Sequence, residues 1–348
     1  MRHPLIAAAL AMLAFSGAIA AQSGADGSDS GEIDWRIEAG DRAAPGMVQF
    51  TLSRSLPGGG QWIHSNTRSL AELQGLAPSQ LASAEGQQVR FRLVREAGSF
   101  DCGGIARRQR GTGECRFAAD PAFVEALARR RIGAASPRQL LSLALARIGL
   151  TYVDELERQR YARPTVADLV RAGDHGADLD YLREMGALGY RAGTLAGLIR
   201  MRDHGVTPEF AGELVRLGVR DLGPDALVRL RDHGVSPDFV ADLRRLGYGR
   251  LAIEELVRLR DHGVSASYVG ALREHGYNLP TGEIIRLRDH GVSADFVGEL
   301  RGLGYGRLSA DEIVRLRDHG VSADFIRRAN AGGRRSVEEL VRLRNDGA

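Results

Sequence analysis

Two different hydrophobic periods divide the chain. Between positions 32 and 118 apolar and polar residues mostly alternate, as at 48–52 and 89–93, and this period of two predicts half-buried antiparallel strands. From about position 119 onward the apolar residues follow a helical spacing that glycine interrupts at intervals. We therefore predict an α+β fold: a small antiparallel β domain (32–118), sandwich or barrel, then an α-solenoid of two-helix repeats.

The helical part contains an internal repeat marked by the letters Asp-His-Gly. Its aspartates lie at 174, 203, 232, 261, 289 and 318, and Asn345 ends the series, with spacings of 29, 29, 29, 28, 29 and 27 residues. A fixed period of this length is typical of stacked repeat architectures. We predict six repeats and a terminal half-repeat over 165–348, after a helical connector (119–164) that holds a degenerate copy at 139–161.

Each repeat carries start and stop signals for a first helix, here called helix A. In the copy at 309–333, Ser309 and Glu312 have capping-box spacing, and Gly320 stands where a left-handed residue ends the helix. Val321 and Leu316 are then the two positions that touch in a Schellman motif. The predicted C-terminal caps of helix A are His204, Gly205, His233, Gly234, His262, Gly263, His290, Gly291, His319 and Gly320.

A second helix, helix B, follows in each repeat. Ser322 is its predicted N-cap, and Asp324 places a negative charge near the positive end of that helix. Isolated helices shorter than ~12–15 residues are marginal in water. Stacking of the repeats must therefore stabilise these helices.

The repeated aspartate lies beside the negative end of helix A, which is unfavourable for an acid and predicts a compensating partner. An arginine of the preceding Arg-Leu-Arg letters is the expected partner, which would form an Arg–Asp ladder along the stack; a ligand-facing role is the alternative. The predicted ladder or interaction residues are Arg231, Asp232, Arg260, Asp261, Arg288, Asp289, Arg317 and Asp318.

Asp289, His290 and Ser293 resemble the components of a hydrolase triad. Adjacent helical residues point in different directions, the serine is needed as a cap, and the trio recurs in successive repeats, so we predict no catalytic residues. Helices pack ~8–10 Å apart, whereas zinc ligands lie ~2 Å from the ion, so we also predict no metal site and no cofactor.

The first residues have the features of a secretory signal peptide. A short basic start, an apolar run and Ala18-Ile19-Ala20 predict a signal over 1–21, with an uncleaved anchor as the alternative, and then a disordered linker over 22–31. An oxidising compartment favours a disulfide between Cys102 and Cys115, the only two cysteines. We expect a periplasmic or secreted protein without a membrane span after cleavage.

Charge argues against a nucleic-acid partner. All 47 basic residues are arginine, but residues 165–348 carry 27 arginines against 28 acidic residues, a net charge of −1. A nucleic-acid surface needs a basic excess. The paired arginines therefore indicate a solvated, salt-bridged face.

The repeats, together with VRFRLVREAGSFDCGG, ADPAFVEALARR and RPTVADLVRAGDHG, resemble the tandem-repeat segments attached to bacterial membrane zinc metallopeptidases of the β-lactam sensor/transducer family. The peptidase's HExxH motif and membrane spans are missing from this sequence, so the resemblance does not imply peptidase activity. We expect a non-enzymatic scaffold that binds a protein or peptide through its repeats. The alternatives are an envelope sensor with a ligand-binding β domain and, third, a hydrolase.

Overall fold

The computed structural model describes residues 33–39, 44–55, 61–219 and 222–347. The predicted signal peptide, the linker at 22–31 and the turn at 57–60 lie outside these residues. The described chain forms an antiparallel sheet followed by successive short helices, which confirms the α+β class with a helical repeat region.

Within the described residues the β domain is a seven-stranded sheet. Its strands are β1 (Ile33–Glu38), β2 (Met47–Ser55), β3 (Gln61–Ser69), β4 (Leu73–Gln74), β5 (Gln87–Arg95), β6 (Gly98–Arg107) and β7 (Arg110–Ala119). The strand order is β3-β2-β1-β7-β6-β5-β4, and every neighbouring pair is antiparallel. The sheet curls into a half-barrel. Of the sandwich and the barrel that the sequence left open, the fold is therefore nearer to the barrel.

Trp35 occupies the centre of this sheet. Its ring is 2% exposed, packs edge-on against Phe91 at 5.0 Å between centroids, and donates from Nε1 to the carbonyl of Gly103 at 3.0 Å. A Cβ atom added at Gly104 would lie 2.7 Å from the indole, and one at Gly111 would lie 2.9 Å from it. The glycines of β6 and β7 therefore leave the space that the tryptophan fills.

The disulfide prediction is confirmed. Cys102 on β6 and Cys115 on β7 are directly opposite in the register of the hairpin and are bonded to each other. Their Cα atoms are 4.0 Å apart and both side chains are buried. The bond therefore fastens two strands that the sheet already pairs.

Two short helical elements and one longer helix accompany the sheet. Ser69 caps a single 3₁₀ turn (Leu70–Glu72), and α1 (Pro78–Ala82) follows β4. Helix α2 (Pro121–Arg129) begins after Asp120, whose carboxylate accepts the N–H of Ala122.

The remaining helices are α3 (Pro137–Ala146), α4 (Leu150–Arg158), α5 (Val166–Asp174), α6 (Leu179–Ala187), α7 (Leu195–Asp203), α8 (Pro208–Arg216), α9 (Pro224–Asp232), α10 (Pro237–Arg245), α11 (Ile253–Asp261), α12 (Ala266–Glu274), α13 (Thr281–Asp289), α14 (Ala294–Gly302), α15 (Ala310–Asp318), α16 (Ala323–Ala329) and α17 (Val337–Asn345). Odd-numbered helices from α3 onward are helix A and pack on one another, as do the even-numbered B helices. The degenerate copy, α3 and α4, stacks like a full repeat. None of the described helices is long and apolar enough to cross a bilayer.

Six A helices, α5, α7, α9, α11, α13 and α15, end at a glycine with positive φ as the sequence predicts. In α7, the N–H of Val206 bonds to the carbonyl of Met201 at 2.9 Å, and the N–H of Gly205 bonds to that of Arg202 at 3.0 Å. These are the two hydrogen bonds of a Schellman motif, and Gly205 has the required positive φ of 68°. His204 occupies the C-cap position between helix and glycine.

Candidate functional site

The histidine and aspartate of the Asp-His-Gly motif form hydrogen bonds between neighbouring repeats. Nδ1 of His204 lies 2.7 Å from Oδ1 of Asp232, one repeat further along the chain. A carboxylate can only accept, so the imidazole donates from Nδ1. The equivalent pairs are His175–Asp203 at 2.7 Å, His233–Asp261 at 2.6 Å, His262–Asp289 at 2.7 Å and His290–Asp318 at 2.9 Å, and His319 pairs with Asn345 at 3.0 Å. We call this series the His–Asp ladder.

The predicted Arg–Asp ladder is therefore wrong in its partner. Asp232, Asp261, Asp289 and Asp318 pair with the histidine of the preceding repeat instead of an arginine. The reason is geometric, because stacking places the C-terminal end of one helix A beside the C-cap of the previous one. The imidazoles and carboxylates of the ladder are 38–46% exposed, so this is a surface feature.

The second arginine of each Arg-Leu-Arg run covers an aromatic ring of the preceding repeat. The guanidinium of Arg260 lies 5.1 Å from the ring centroid of Phe239, and its Nε donates to the carbonyl of Gly234 at 3.0 Å. The equivalent arginine–ring pairs are Arg202–Tyr181, Arg231–Phe210, Arg288–Tyr268, Arg317–Phe296 and Arg344–Phe325, at 5.1–6.0 Å. These arginines are held by cation–π contacts in the stack.

The first arginine of each run forms a separate column, here called the outer arginine column. Three of its members pair with an acid at the start of the next helix A: Arg200 with Asp225, Arg286 with Asp311, and Arg315 with Glu338. Arg229 and Arg258, in the two central repeats, are exposed and have no ion pair with any described residue. Gly282 occupies the position in the next helix A at which an acidic residue could pair with Arg258.

The structure gives Asp289, His290 and Ser293 three different partners. Asp289 accepts from His262, and the ring of His290 donates to Asp318. The hydroxyl of Ser293 accepts the N–H of Phe296 and caps α14. The three side chains therefore form no acid–base–nucleophile relay among themselves. Within the described residues there is also no cluster of three or more histidine, cysteine or acidic side chains that could hold a metal ion.

A polar strip on the inner face of the β domain was missed by sequence reasoning. His64, Asn66 and Arg68 of edge strand β3 lie opposite Leu52, Phe50 and Val48, so their side chains share the buried face of the sheet. Trp62 precedes them on the same face and stacks on His64 at 6.1 Å between centroids. The signal was present as the period of two in β3, whose inward positions are mostly polar.

Arg68 is the most buried member of the strip. It is 4% exposed, and its Nε and Nη2 donate to Oδ1 of Asn66 at 3.0 and 2.6 Å. Its Nη1 is buried without a hydrogen-bond partner. Burial, with the positive charge of Arg95 next in importance, lowers the pKa of Arg68 to about 10. Burial and the charge of Arg68 also lower the pKa of His64.

Glu72 is the carboxylate beside Arg68. Its Oε2 accepts from Nη2 of Arg95 at 2.5 Å and lies 3.6 Å from Nη1 of Arg68. Burial alone would raise the pKa of Glu72, but the hydrogen bond from Arg95 and the charges of Arg95, Arg68 and Arg147 hold it below the ordinary value. One carboxylate thus faces three guanidinium groups.

This cluster borders the junction between the sheet and the first helix pair. Glu96, in the turn between β5 and β6, accepts the N–H of Leu150 at 2.7 Å and the hydroxyl of Thr151 at 2.8 Å, so the β domain caps α4. A Cβ on Gly149 would lie 2.5 Å from that carboxylate, which explains the glycine. A cavity of about 330 Å³ opens beside this contact, and Arg95 and Arg147 are among its lining residues.

Comparison of the chain with protein-family models, with curated proteins and with solved structures gives no match. The likeness of its repeats to the metallopeptidase-associated segments therefore stays a prediction.

Proposed function

We propose that this chain is a non-enzymatic, exported binding protein whose helical-repeat surface takes a protein or peptide partner with an acidic segment. The outer arginine column supports the proposal. Its paired members lie toward the ends of the column, whereas Arg229 and Arg258 in successive central repeats expose unpaired guanidinium groups. Two such groups on adjacent repeats suit carboxylates of an extended segment.

The stacked repeats provide a rigid support for these two arginines. The His–Asp ladder and the arginine–ring contacts fix each helix A against its neighbour. Solenoids of this kind present long surfaces that commonly bind proteins or peptides. Net charge over 165–348 is −1, so the attraction is local and favours an acidic peptide over nucleic acid.

Export is part of the same proposal. The signal-like residues 1–21 and the Cys102–Cys115 disulfide support an oxidising compartment outside the cytosol. We place the protein in the periplasm or medium.

Capture from an extract of the cell envelope tests the proposed function. The full mature chain, its Arg229→Ala/Arg258→Ala variant and an Arg286→Ala/Arg315→Ala variant are immobilised, and the retained proteins are identified by mass spectrometry. We expect a partner that the first variant loses and the second, which alters paired members of the same column, retains. Purified partner should then bind more weakly as salt rises. Equal retention by all three forms would refute the proposal.

The polar strip favours a second candidate function, an envelope sensor that binds a small ligand at the β domain. His64, Asn66 and Nη1 of Arg68, which has no hydrogen-bond partner, supply polar groups on an inner sheet face that is otherwise apolar. Buried polar groups of this kind are common in ligand sites. Under this alternative, the repeats would dock or transmit the signal.

A further inference from the structure

Arg147 has a left-handed backbone conformation at a position where the later repeats have glycine. Its φ is 59°, and the hydrogen bond from Ile148 N–H to the Leu143 carbonyl at 3.0 Å matches the one that closes each later helix A. Gly176 and Gly205 occupy the corresponding position in the next two copies, with φ of 66° and 68°. A side chain with a Cβ costs ~1 kcal/mol in the left-handed region. Such strain is a reason to look for a local function.

Arg147 lies at a cavity, which is a possible location for such a function. Arg147 lines the 330 Å³ cavity together with Arg95, between the β5–β6 turn and the N-terminal ends of α4 and α6. Arg131 and Arg160 also have positive φ, of 56° and 62°, at the ends of α2 and α4, but neither lines this cavity. Among the left-handed arginines at helix ends in the described part of the chain, Arg147 lines the cavity and the other two do not.

Three arginines lie around one carboxylate beside the cavity. Arg68, Arg95 and Arg147 act electrostatically on one another and share the single carboxylate of Glu72. No carboxylate of the described residues forms an ion pair with Arg147, and Nη1 of Arg68 has no hydrogen-bond partner. Burial and the charge of Arg147 help to lower the pKa of Arg95, whereas Glu72 acts in the opposite direction.

The acidic residues of the cavity wall are largely engaged by helix ends. Glu96 accepts two N–H groups at the start of α4, and Asp178 accepts the N–H of Tyr181 at 2.9 Å as the N-cap of α6. Asp180, in the first turn of α6, faces the positive end of its own helix. The helix termini therefore offset these carboxylates and leave Arg147 as the arginine available to a ligand. Arg95 adds positive charge beside it, while its own Nη2 donates to Glu72 at 2.5 Å and its Nη1 to the carbonyl of Val94 at 2.9 Å.

We propose that this cavity binds a small molecule through an anionic oxygen group, a carboxylate or a phosphate, which Arg147 holds beside the positive charge of Arg95 at the junction of the sheet and the first helix pair. Guanidinium groups are suited to both anions because they donate two parallel hydrogen bonds. The cavity lies at the lower end of the ~300–1,000 Å³ range of ligand pockets, which favours a metabolite-sized ligand. This site does not depend on the partner surface proposed for the central repeats.

Thermal unfolding of the full mature chain with three probes tests the site. Inorganic phosphate, citrate and acetate are each titrated against sodium chloride at equal ionic strength. We expect at least one oxyanion to raise Tm in a saturable way that chloride does not reproduce, since a ligand of the folded state stabilises it. Phosphate alone would identify a phosphate-type ligand, and citrate or acetate alone a carboxylate-type ligand.

Arg147→Gly is the decisive variant. Glycine suits the left-handed backbone, so Tm without anion should be equal to or higher than that of the wild type, while the oxyanion-dependent rise is lost. Arg160→Gly is the matched control, because it relieves the same conformation at the end of α4 and should keep the full response. Should Arg147→Gly fold poorly, Arg147→Asn removes the charge with a residue that tolerates this region.

The site would be overturned if no oxyanion stabilised the wild type beyond chloride, or if Arg147→Gly responded to the oxyanion like the wild type. A response lost equally in both variants would also overturn it, because the effect would then not belong to the cavity. Capture of an envelope partner through Arg229 and Arg258 is measured separately, so failure of one proposal leaves the other standing.

Discussion

Nδ1 of His262 lies 2.7 Å from Oδ1 of Asp289, although 27 residues separate them in the chain. The pair joins the C-cap of one helix A to the last residue of the next, and five such His–Asp pairs run along the stack. The acid at an unfavourable helix end is thereby given a donor from the neighbouring repeat. The repeated aspartate and histidine therefore form hydrogen bonds between successive repeats.

Removing one carboxylate of the ladder should weaken the stack modestly. We expect Asp289→Ala to lower the free energy of unfolding in urea by ~0.5–1 kcal/mol, because the pair is half exposed and solvent screens it. Asp289→Asn should cost less, since an amide oxygen still accepts from the imidazole, as Asn345 does for His319 at 3.0 Å. An asparagine variant as unstable as the alanine variant would contradict this account.

Replacement by alanine should change protein stability in one direction at two B-helix glycines and in the opposite direction at a third. A Cβ on Gly212 or Gly270 would lie 3.6 or 3.7 Å from a leucine of the preceding repeat, so alanine should stabilise by up to ~1 kcal/mol through helix propensity. A Cβ on Gly298 would lie 2.7 Å from the ring of the half-buried His275, which would have to move aside, and alanine there should destabilise by ~1 kcal/mol. Urea unfolding of the three variants measures the contrast.

Replacing His275 tests the cause of that contrast. In the other two repeats the position equivalent to His275 is a leucine: Leu188 faces Gly212, and Leu246 faces Gly270. We expect His275→Leu to rescue most of the stability that Gly298→Ala removes. Independent, additive effects of the two substitutions would mean that the ring is not the obstacle.

Two arginines of helix α11 should differ in their tolerance of lysine. Arg260 lies over Phe239 and its Nε donates to Gly234, so Arg260→Lys should lower the free energy of unfolding by ~1–2 kcal/mol through loss of the planar contact and the hydrogen bond. Arg258→Lys, two residues earlier and exposed, should change it by less than ~0.5 kcal/mol. Equal effects would show that charge alone matters at both positions.

The β domain should lose stability in mild acid through His64. Burial and the charge of Arg68 lower its pKa in the folded state from the ordinary value of 6.5, so the unfolded chain takes up a proton first. Stability from this group is therefore present above pH 6.5 and is lost as the pH falls below it toward the folded-state pKa. Urea unfolding of wild type and His64→Gln between pH 8 and pH 5 measures this as a difference, which cancels the other histidines. A difference independent of pH would contradict the prediction.

The sequence alone determined the local structure of the repeats. Gly205 and its equivalents specify left-handed helix ends, the capping residues specify helix starts, and the period of about 29 residues specifies stacking. The opposed cysteines of the β6–β7 hairpin were likewise predictable, because strand pairing brings nearby residues into register. These features depend on the conformations of a few consecutive residues, which the letters themselves encode.

The tertiary structure decided which side chains meet. The sequence placed the aspartate at a helix end and called for a partner, but only the offset between stacked helices selected His262 over an arginine for Asp289. The inward direction of Arg68 and the approach of Arg147 to the β domain were equally hidden, since they follow from the curl of the sheet and its docking on the first helix pair. Contacts between residues far apart in the chain depend on how whole elements are oriented, and no local pattern of letters fixes that orientation.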